Sequence, residues 1–259
     1  ASSAGPDIRE MVLGSEGRMG IITEVVVRVT PVPQAEQFQV AFFPSWAAGL
    51  TAARELVQQR VALSMVRLSN PLETISLLHM GAGENTAGVA ALEASLAEQG
   101  IGSGKVMMTL AVTGSQKQCD FNRTAALDIC ASHGAVADQS GLGDNWAHGR
   151  FRAPYVRDPL GSAGYAVDTM ETAVDWSRVT ESMEKIEQAI RTGLTDEGEQ
   201  VHAYTHLSHV YGQGSSIYTT YVYRFGDSYE QALQRWHKLK AAGAQQIVAC
   251  GGTISHQHG

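Results

Sequence analysis

The sequence predicts an α+β fold in which an antiparallel sheet is covered by helices on one face. Three observations carry that reading. Alternating or β-branched runs recur along the chain, runs of helical periodicity stand between them, and Gly, Pro, Asn or Asp marks most junctions. The totals agree: 259 residues with 44% apolar content suffice to bury a core, as one large domain or one and a half small ones. A formal net charge of −7, with the cations scattered singly, argues against a nucleic-acid footprint. No apolar run is long enough to span a membrane. Cys119, Cys130 and Cys250 are odd in number and lack C-x-x-C spacing, which fits buried small hydrophobes in a reducing cytoplasm. The opening Ala1-Ser2-Ser3-Ala4-Gly5-Pro6 has no initiator Met, no basic region and no apolar region, and reads as the middle of a longer protein.

In order along the chain, residues 7–13 read as a short helical turn capped by Asp7. Gly14, Gly17 and Gly20 then crowd into a loop whose open amides suit phosphate or ring-carbonyl oxygens, with an ordinary strand-entry turn as the other reading. Residues 21–30 are β-branched almost throughout and read as a strand ended by Pro31-Val32-Pro33. The change of character there sets a domain boundary, 1–33 before it and 34–259 after it. In the second part strands are predicted over 37–43, 61–68, 105–112, 165–172, 201–210 and 217–225. Helices are predicted over 46–60, 71–80, 88–99, 116–133, 176–191 and 229–242, the last capped by Ser228 and ended by Gly243. Residues 144–159 are the least regular. There Trp146, Arg150, Phe151, Arg152, Tyr155 and Arg157 crowd together, suiting one small anion or, alternatively, a solvated face with Arg150 paired to Asp144.

Two histidine groups stand out. On a helix His202, His206 and His209 would share a face as zinc ligands do, but the β-branched and aromatic surroundings favour a strand. A strand puts His206 and His209 on opposite faces, so a three-histidine metal site is not expected. The chain then ends Gly251-Gly252-Thr253-Ile254-Ser255-His256-Gln257-His258-Gly259. In an extended segment His256 and His258 project to the same side, and imidazole exchanges protons near neutral pH. A hydrated tail is the alternative.

With Leu13-Gly14-Ser15-Glu16-Gly17-Arg18-Met19-Gly20-Ile21-Ile22-Thr23-Glu24 and the terminal histidine stretch both in view, the chain resembles the FAD-linked oxidases of the vanillyl-alcohol-oxidase type. Tyr155-Val156-Arg157-Asp158, Glu171-Thr172-Ala173 ahead of Trp176, and Ser216-Ile217-Tyr218 fall in the order of the alkylglycerone-phosphate synthase (alkyldihydroxyacetonephosphate synthase) subgroup. The resemblance implies a remnant of the FAD-binding domain over 1–33. A substrate or cap domain follows over 34–259, α+β, with a ferredoxin-like antiparallel sheet covered by helices. It implies FAD as cofactor, lined by Glu16, Gly17, Arg18, Met19, Gly20, Ile21 and Ile22. It further implies that Arg157 holds the phosphate or carboxylate of a small anionic substrate, that Tyr218 is the general acid/base near flavin N5, and that His256 and His258 complete the pocket.

Three departures qualify it. Gln257 interrupts what is a run of three histidines in the synthases. Tyr218 and Gln257 stand where metal-binding relatives that oxidise 2-hydroxy acids place a second histidine and a glutamate beside the position of His209, so no metal is expected. The pyrophosphate-binding half of the flavin domain lies outside this sequence. That half is therefore the expected partner, and this piece alone is expected to hold FAD weakly or not at all; a homodimer is left open. The rival readings are an FAD-dependent 2-hydroxy-acid dehydrogenase and a non-catalytic binding domain.

Overall fold

The computed structural model of the chain describes residues 5–83 and 85–257, so the reading of His258 falls outside the described residues. At the start, Asp7 caps α1 (Ile8–Val12), its carboxylate accepting from the Arg9 amide at 3.0 Å. The strand expected over 21–30 does not form. That segment is exposed, Val26 by 97%, and no strand lies beside it among the described residues. A β-branched run with neither ladder partner nor core to cover takes no sheet structure, whatever its propensity.

Seven strands follow among the described residues, and every pairing is antiparallel. They are β1 (Ala35–Phe43), β2 (Met65–Ser69), β3 (Val106–Gly114), β4 (Val136–Ala137), β5 (Tyr165–Asp175), β6 (His202–Leu207) and β7 (Gly214–Arg224), ordered β4-β1-β3-β2-β6-β7-β5 across one sheet. The helices between them are α2 (Trp46–Gln58), α3 (Pro71–Ala82), α4 (Thr86–Glu98), α5 (Gln116–Ser132), α6 (Leu142–Gly149), α7 (Arg157–Ser162), α8 (Val179–Thr192) and α9 (Tyr229–Ala249). Ser45, Asn70, Asn85, Ser115 and Ser228 each cap the helix they precede by accepting a backbone N–H.

The order of strands resolves into two ferredoxin-like units. In the first, β1-α2-β2 and β3-α5-β4 give the order β4-β1-β3-β2, with α3 and α4 inserted between β2 and β3. In the second, β5-α8-β6-β7-α9 gives β6-β7-β5. The units join at β2 and β6 through the register pairs Leu68↔Leu207 and Ser69↔His206. The chain after α9 runs beside the outer edge of β5, where the Thr253 N–H donates to the Ala173 carbonyl at 3.1 Å and the Thr172 hydroxyl to the Thr253 carbonyl at 2.8 Å. It occupies the place of the second unit's missing fourth strand.

The two faces of the sheet differ. One is covered along its whole width: Ala53 and Leu56 of α2, Ile129 of α5, Ile186 and Ile190 of α8, and Leu239 of α9 share one core with Phe43, Leu68, Ala203 and Tyr221. The opposite face carries α3 and α4 over β1 and β3, where Leu78 of α3 and Val89 and Leu96 of α4 pack on Val40, Phe42 and Met107, and α3 also reaches β6, its Glu73 bonding the buried His206. Along β7 that second face is the more open one. Alternation along β7 shows it, with Ile217, Thr219, Tyr221 and Tyr223 buried while Tyr218, Thr220 and Val222 are half-buried.

Several elements differ from expectation for physical reasons. α9 passes through Gly243 instead of ending there, because a residue without a side chain lets the helix lie on β5; a Cβ at 243 would collide with the Met170 thioether. Residues 144–159 are largely helical, in α6, a 3-10 turn Ala153–Val156 and the start of α7. Arg150 does not pair with Asp144. It lies 4.7 Å over the Phe38 ring and 3.6 Å from Glu36. Residues 61–64 approach β2 as a loop, from which Val61 and Leu63 still pack on the core.

Candidate active site on the open half of the sheet

The open face gathers side chains from four places in the chain. Glu171 of β5 is in register with Tyr218 of β7, and His206 of β6 is in register with Tyr218 on its other side. The His206 and Tyr218 rings stack with centroids 4.7 Å apart and planes 22° apart. β6 ends at Leu207, so the strand alternation expected to send His206 and His209 to opposite faces stops before His209. The chain turns instead, and Ser216 holds the turn: its amide donates to the His209 carbonyl at 2.8 Å and its hydroxyl accepts from the His209 amide at 3.2 Å. His209 Nδ1 thereby comes 3.5 Å from Glu171 Oε1.

The fourth contributor is the terminal stretch. Rounding the edge of β5 so closely needs a glycine at 252, where a Cβ would collide with the Thr172 hydroxyl. His256 then lies on the open face. Its Nδ1 is 3.1 Å from Glu171 Oε1 and its Nε2 is hydrogen-bonded to the Tyr211 hydroxyl at 2.9 Å. Gln257 Nε2 donates to His209 Nε2 at 3.0 Å, and the His209 and His256 rings meet edge-on at 5.5 Å. One ligand atom from each of Glu171, His209 and His256 lies within 4.8 Å of the other two. Two imidazoles and a carboxylate are donors that zinc accepts, and that set draws on Glu171, a position the sequence reading had not weighed.

Beside this cluster lies a second one, more deeply buried. His206 Nδ1 is hydrogen-bonded to Glu73 Oε1 at 2.9 Å, and Arg67 donates to the same oxygen at 2.8 Å. The Glu73 side chain is 1% exposed and that of His206 7%. Burial alone would push the Glu73 carboxyl up, but the Arg67 charge and the His206 hydrogen bond hold it well below the ordinary carboxylate value. Burial drives the His206 pKa the other way, below the ordinary imidazole value, with Glu73 opposing. The state that fits both is an ionised Glu73 accepting the Nδ1 proton of a neutral imidazole.

The sequence-predicted residues are thus partly assembled. Tyr218 and His256 meet around Glu171. Glu16 joins them from the other end of the chain, its carboxylate accepting from the Ser255 hydroxyl at 2.8 Å. Arg157 is not brought to this cluster by any hydrogen bond or ion pair with a described residue; it lies exposed at the start of α7. Between Arg150 near β1 and Tyr165 at the head of β5 that segment spans most of the width of the sheet.

Residues 32–259 match the family described as FAD linked oxidases, C-terminal domain. The chain belongs to this family. Among curated relatives, the alkyldihydroxyacetonephosphate synthase of Dictyostelium discoideum is 28% identical over 265 residues, covering 100% of this chain and 43% of that protein. A solved alkyldihydroxyacetonephosphate synthase structure superposes with a TM-score of 0.81 at 26% identity, covering 98% of this chain and 47% of that one. A shorter match, 31% identity over 84 residues, joins 32% of this chain to 15% of the mitochondrial D-lactate dehydrogenase [cytochrome] of Arabidopsis thaliana. The chain thus spans less than half the length of the synthases it matches.

FAD is the cofactor of this FAD-linked oxidase family. Gly14, Gly17 and Gly20 have φ of +74°, +79° and +146° with open space where a Cβ would stand, while the Ser15 and Arg18 amides are used inside the loop, donating to the Val12 and Ser15 carbonyls at 3.1 and 2.9 Å. The Ser255 contact ties Glu16 in that loop to the histidine stretch.

Proposed function

We propose that this chain is the substrate-binding half of an FAD-dependent enzyme of the alkyldihydroxyacetonephosphate-synthase kind, acting on a small anionic substrate at the flavin. The supporting observation is the convergence on one open sheet face of Tyr218, Glu171, His209 and His256, with the glycine loop bearing Glu16 tethered beside them. Residues 1–33 belong on this reading to the FAD-binding domain and 34–259 to the cap. Bound FAD supplies a two-electron acceptor.

The protein's part is to bind, orient and move a proton. Tyr218 is the acid/base, its phenol standing on the exposed side of β7 where a substrate carbon can lie between it and the flavin. Tyr211 holds His256 through Nε2 and Gln257 holds His209 through Nε2, with Glu171 Oε1 lying 3.1 Å and 3.5 Å from their Nδ1 atoms, so both imidazoles stand around one carboxylate. Arg157 closes on the substrate's phosphate or carboxylate from the exposed α7 segment, and Glu16 to Ile22 line the flavin. His258, outside the described residues, shares the role of His256 on this reading. The Glu171 donor set is read as acid/base and charge, without a metal step.

In the complete protein, Tyr218→Phe is expected to cut substrate-driven bleaching of the flavin to a small residual rate while the bound FAD spectrum persists. Wild-type bleaching in that variant removes Tyr218 from the mechanism. The stretch of likeness to a D-lactate dehydrogenase supports a second reading, an FAD-dependent 2-hydroxy-acid dehydrogenase. Bleaching by 2-hydroxy acids and not by phosphorylated substrates selects it.

A further inference from the structure

The Arg67, Glu73 and His206 cluster has no part in the chemistry above. Taking a carboxylate and an imidazole out of water beside a partly buried guanidinium carries a desolvation penalty, and well-packed apolar residues in such places are often no less stable. The cluster also crosses the join between the two units, from β2 and α3 to β6. All of it converges on one ring. Arg67 holds Glu73, Glu73 holds His206 Nδ1, and His206 lies flat against Tyr218.

We propose that Arg67 and Glu73 lock His206 so that its ring fixes the plane of Tyr218, making His206 a positioning residue for the proton transfer. The proposal rests on the reading of Tyr218 as the acid/base. Stacking alone fixes the distance between two rings but leaves the lower one free to rock about its own axis. The Nδ1 bond to Glu73 removes that freedom, and Arg67 fixes the carboxylate in turn. The charged or titratable groups around His206 are Arg67 on β2, Glu73 on α3, and Glu171 on β5 with Tyr218 on β7. Among the described residues His206 Nε2 has no hydrogen-bond partner, so the ring is held through Nδ1 alone.

Two substitutions separate the functions of that ring. His206→Phe keeps the stack and loses the Glu73 bond; His206→Gln keeps a donor for Glu73 and loses the stack. Each, in the complete FAD-loaded protein, is expected to lower the rate of flavin reduction at saturating substrate by on the order of ten- to a hundredfold. KM and bound FAD should stay unchanged. In a Tyr218→Phe background neither should lower the residual rate further, because His206 acts only through Tyr218. A wild-type rate in either single variant overturns the proposal, as does an undiminished effect in the Tyr218→Phe background. If Tyr218→Phe itself reduces flavin normally, the underlying reading has failed, a result distinct from normal Tyr218 behaviour with indifferent His206 variants.

Discussion

Glu73 is charged at a place where 1% of its side chain meets solvent, and that fact dictates how the protein responds to acid. Its carboxyl sits near 2 in the fold against an ordinary 4.5, so the stability it contributes is complete above 4.5 and is lost as pH falls from there towards 2. His206 acts in the same direction. Its folded pKa lies below the ordinary 6.5, so the unfolded chain takes up a proton first as pH drops through 6.5. Urea midpoints are therefore expected to fall as pH drops through 6.5 and again from 4.5 towards 2, with the second fall smaller in Glu73→Gln; an equal second fall in that variant would assign it to other groups. Little of this was legible in the sequence. Three residues after Asn70, Glu73 reads as an ordinary first-turn acid of a capped helix, and its amide does bond the Asn70 side chain, at 2.9 Å. Its side chain goes elsewhere, to residues 6 and 133 positions away. Tyr218 and His256 were named from local motifs of the resemblance, and the fold brings both beside Glu171.

Elements were legible wherever the signal lies within a few residues. The caps expected at Asp7 and Ser228 and the alternation along β7 appear as expected. The failures, at 21–30 and Gly243, depend on what lies opposite: an absent ladder partner in one case and Met170 in the other. Gly214 shows the same dependence in a position that bears on the site. It begins β7 directly against β5, and a Cβ there would collide with the Val174 carbonyl, a backbone atom that cannot swing aside. Gly214→Ala is expected to destabilise the protein by about 1–3 kcal/mol, as overpacking does, and to shift the hairpin that carries His209 and Tyr211. Denaturant titration checks it; an unchanged midpoint would mean that β5 and β7 part there at no cost.

At the scale of the molecule, the proposed reading gives the exposed apolar residues of the first segment a use, as a surface that a further domain covers. Ile21, Val26, Val29 and Val32 are each more than four-fifths exposed in a chain that spans less than half of its synthase relatives. Amides over 21–30 are expected to exchange with solvent at once in this piece and slowly in the complete protein. Equal exchange in both would mean that the upstream half does not pair with this segment. No helix among the described residues is long and apolar enough to cross a membrane. The paired units carry a further consequence. The first closes its outer edge with β4, a piece of ordinary sheet. The second leaves that slot to an irregular tail lashed by Thr253, and into the resulting gap the tail swings an imidazole that a regular strand would have kept in line. On the proposed reading, reactivity resides where the second unit departs from the first, and a regular fourth strand there would seal it.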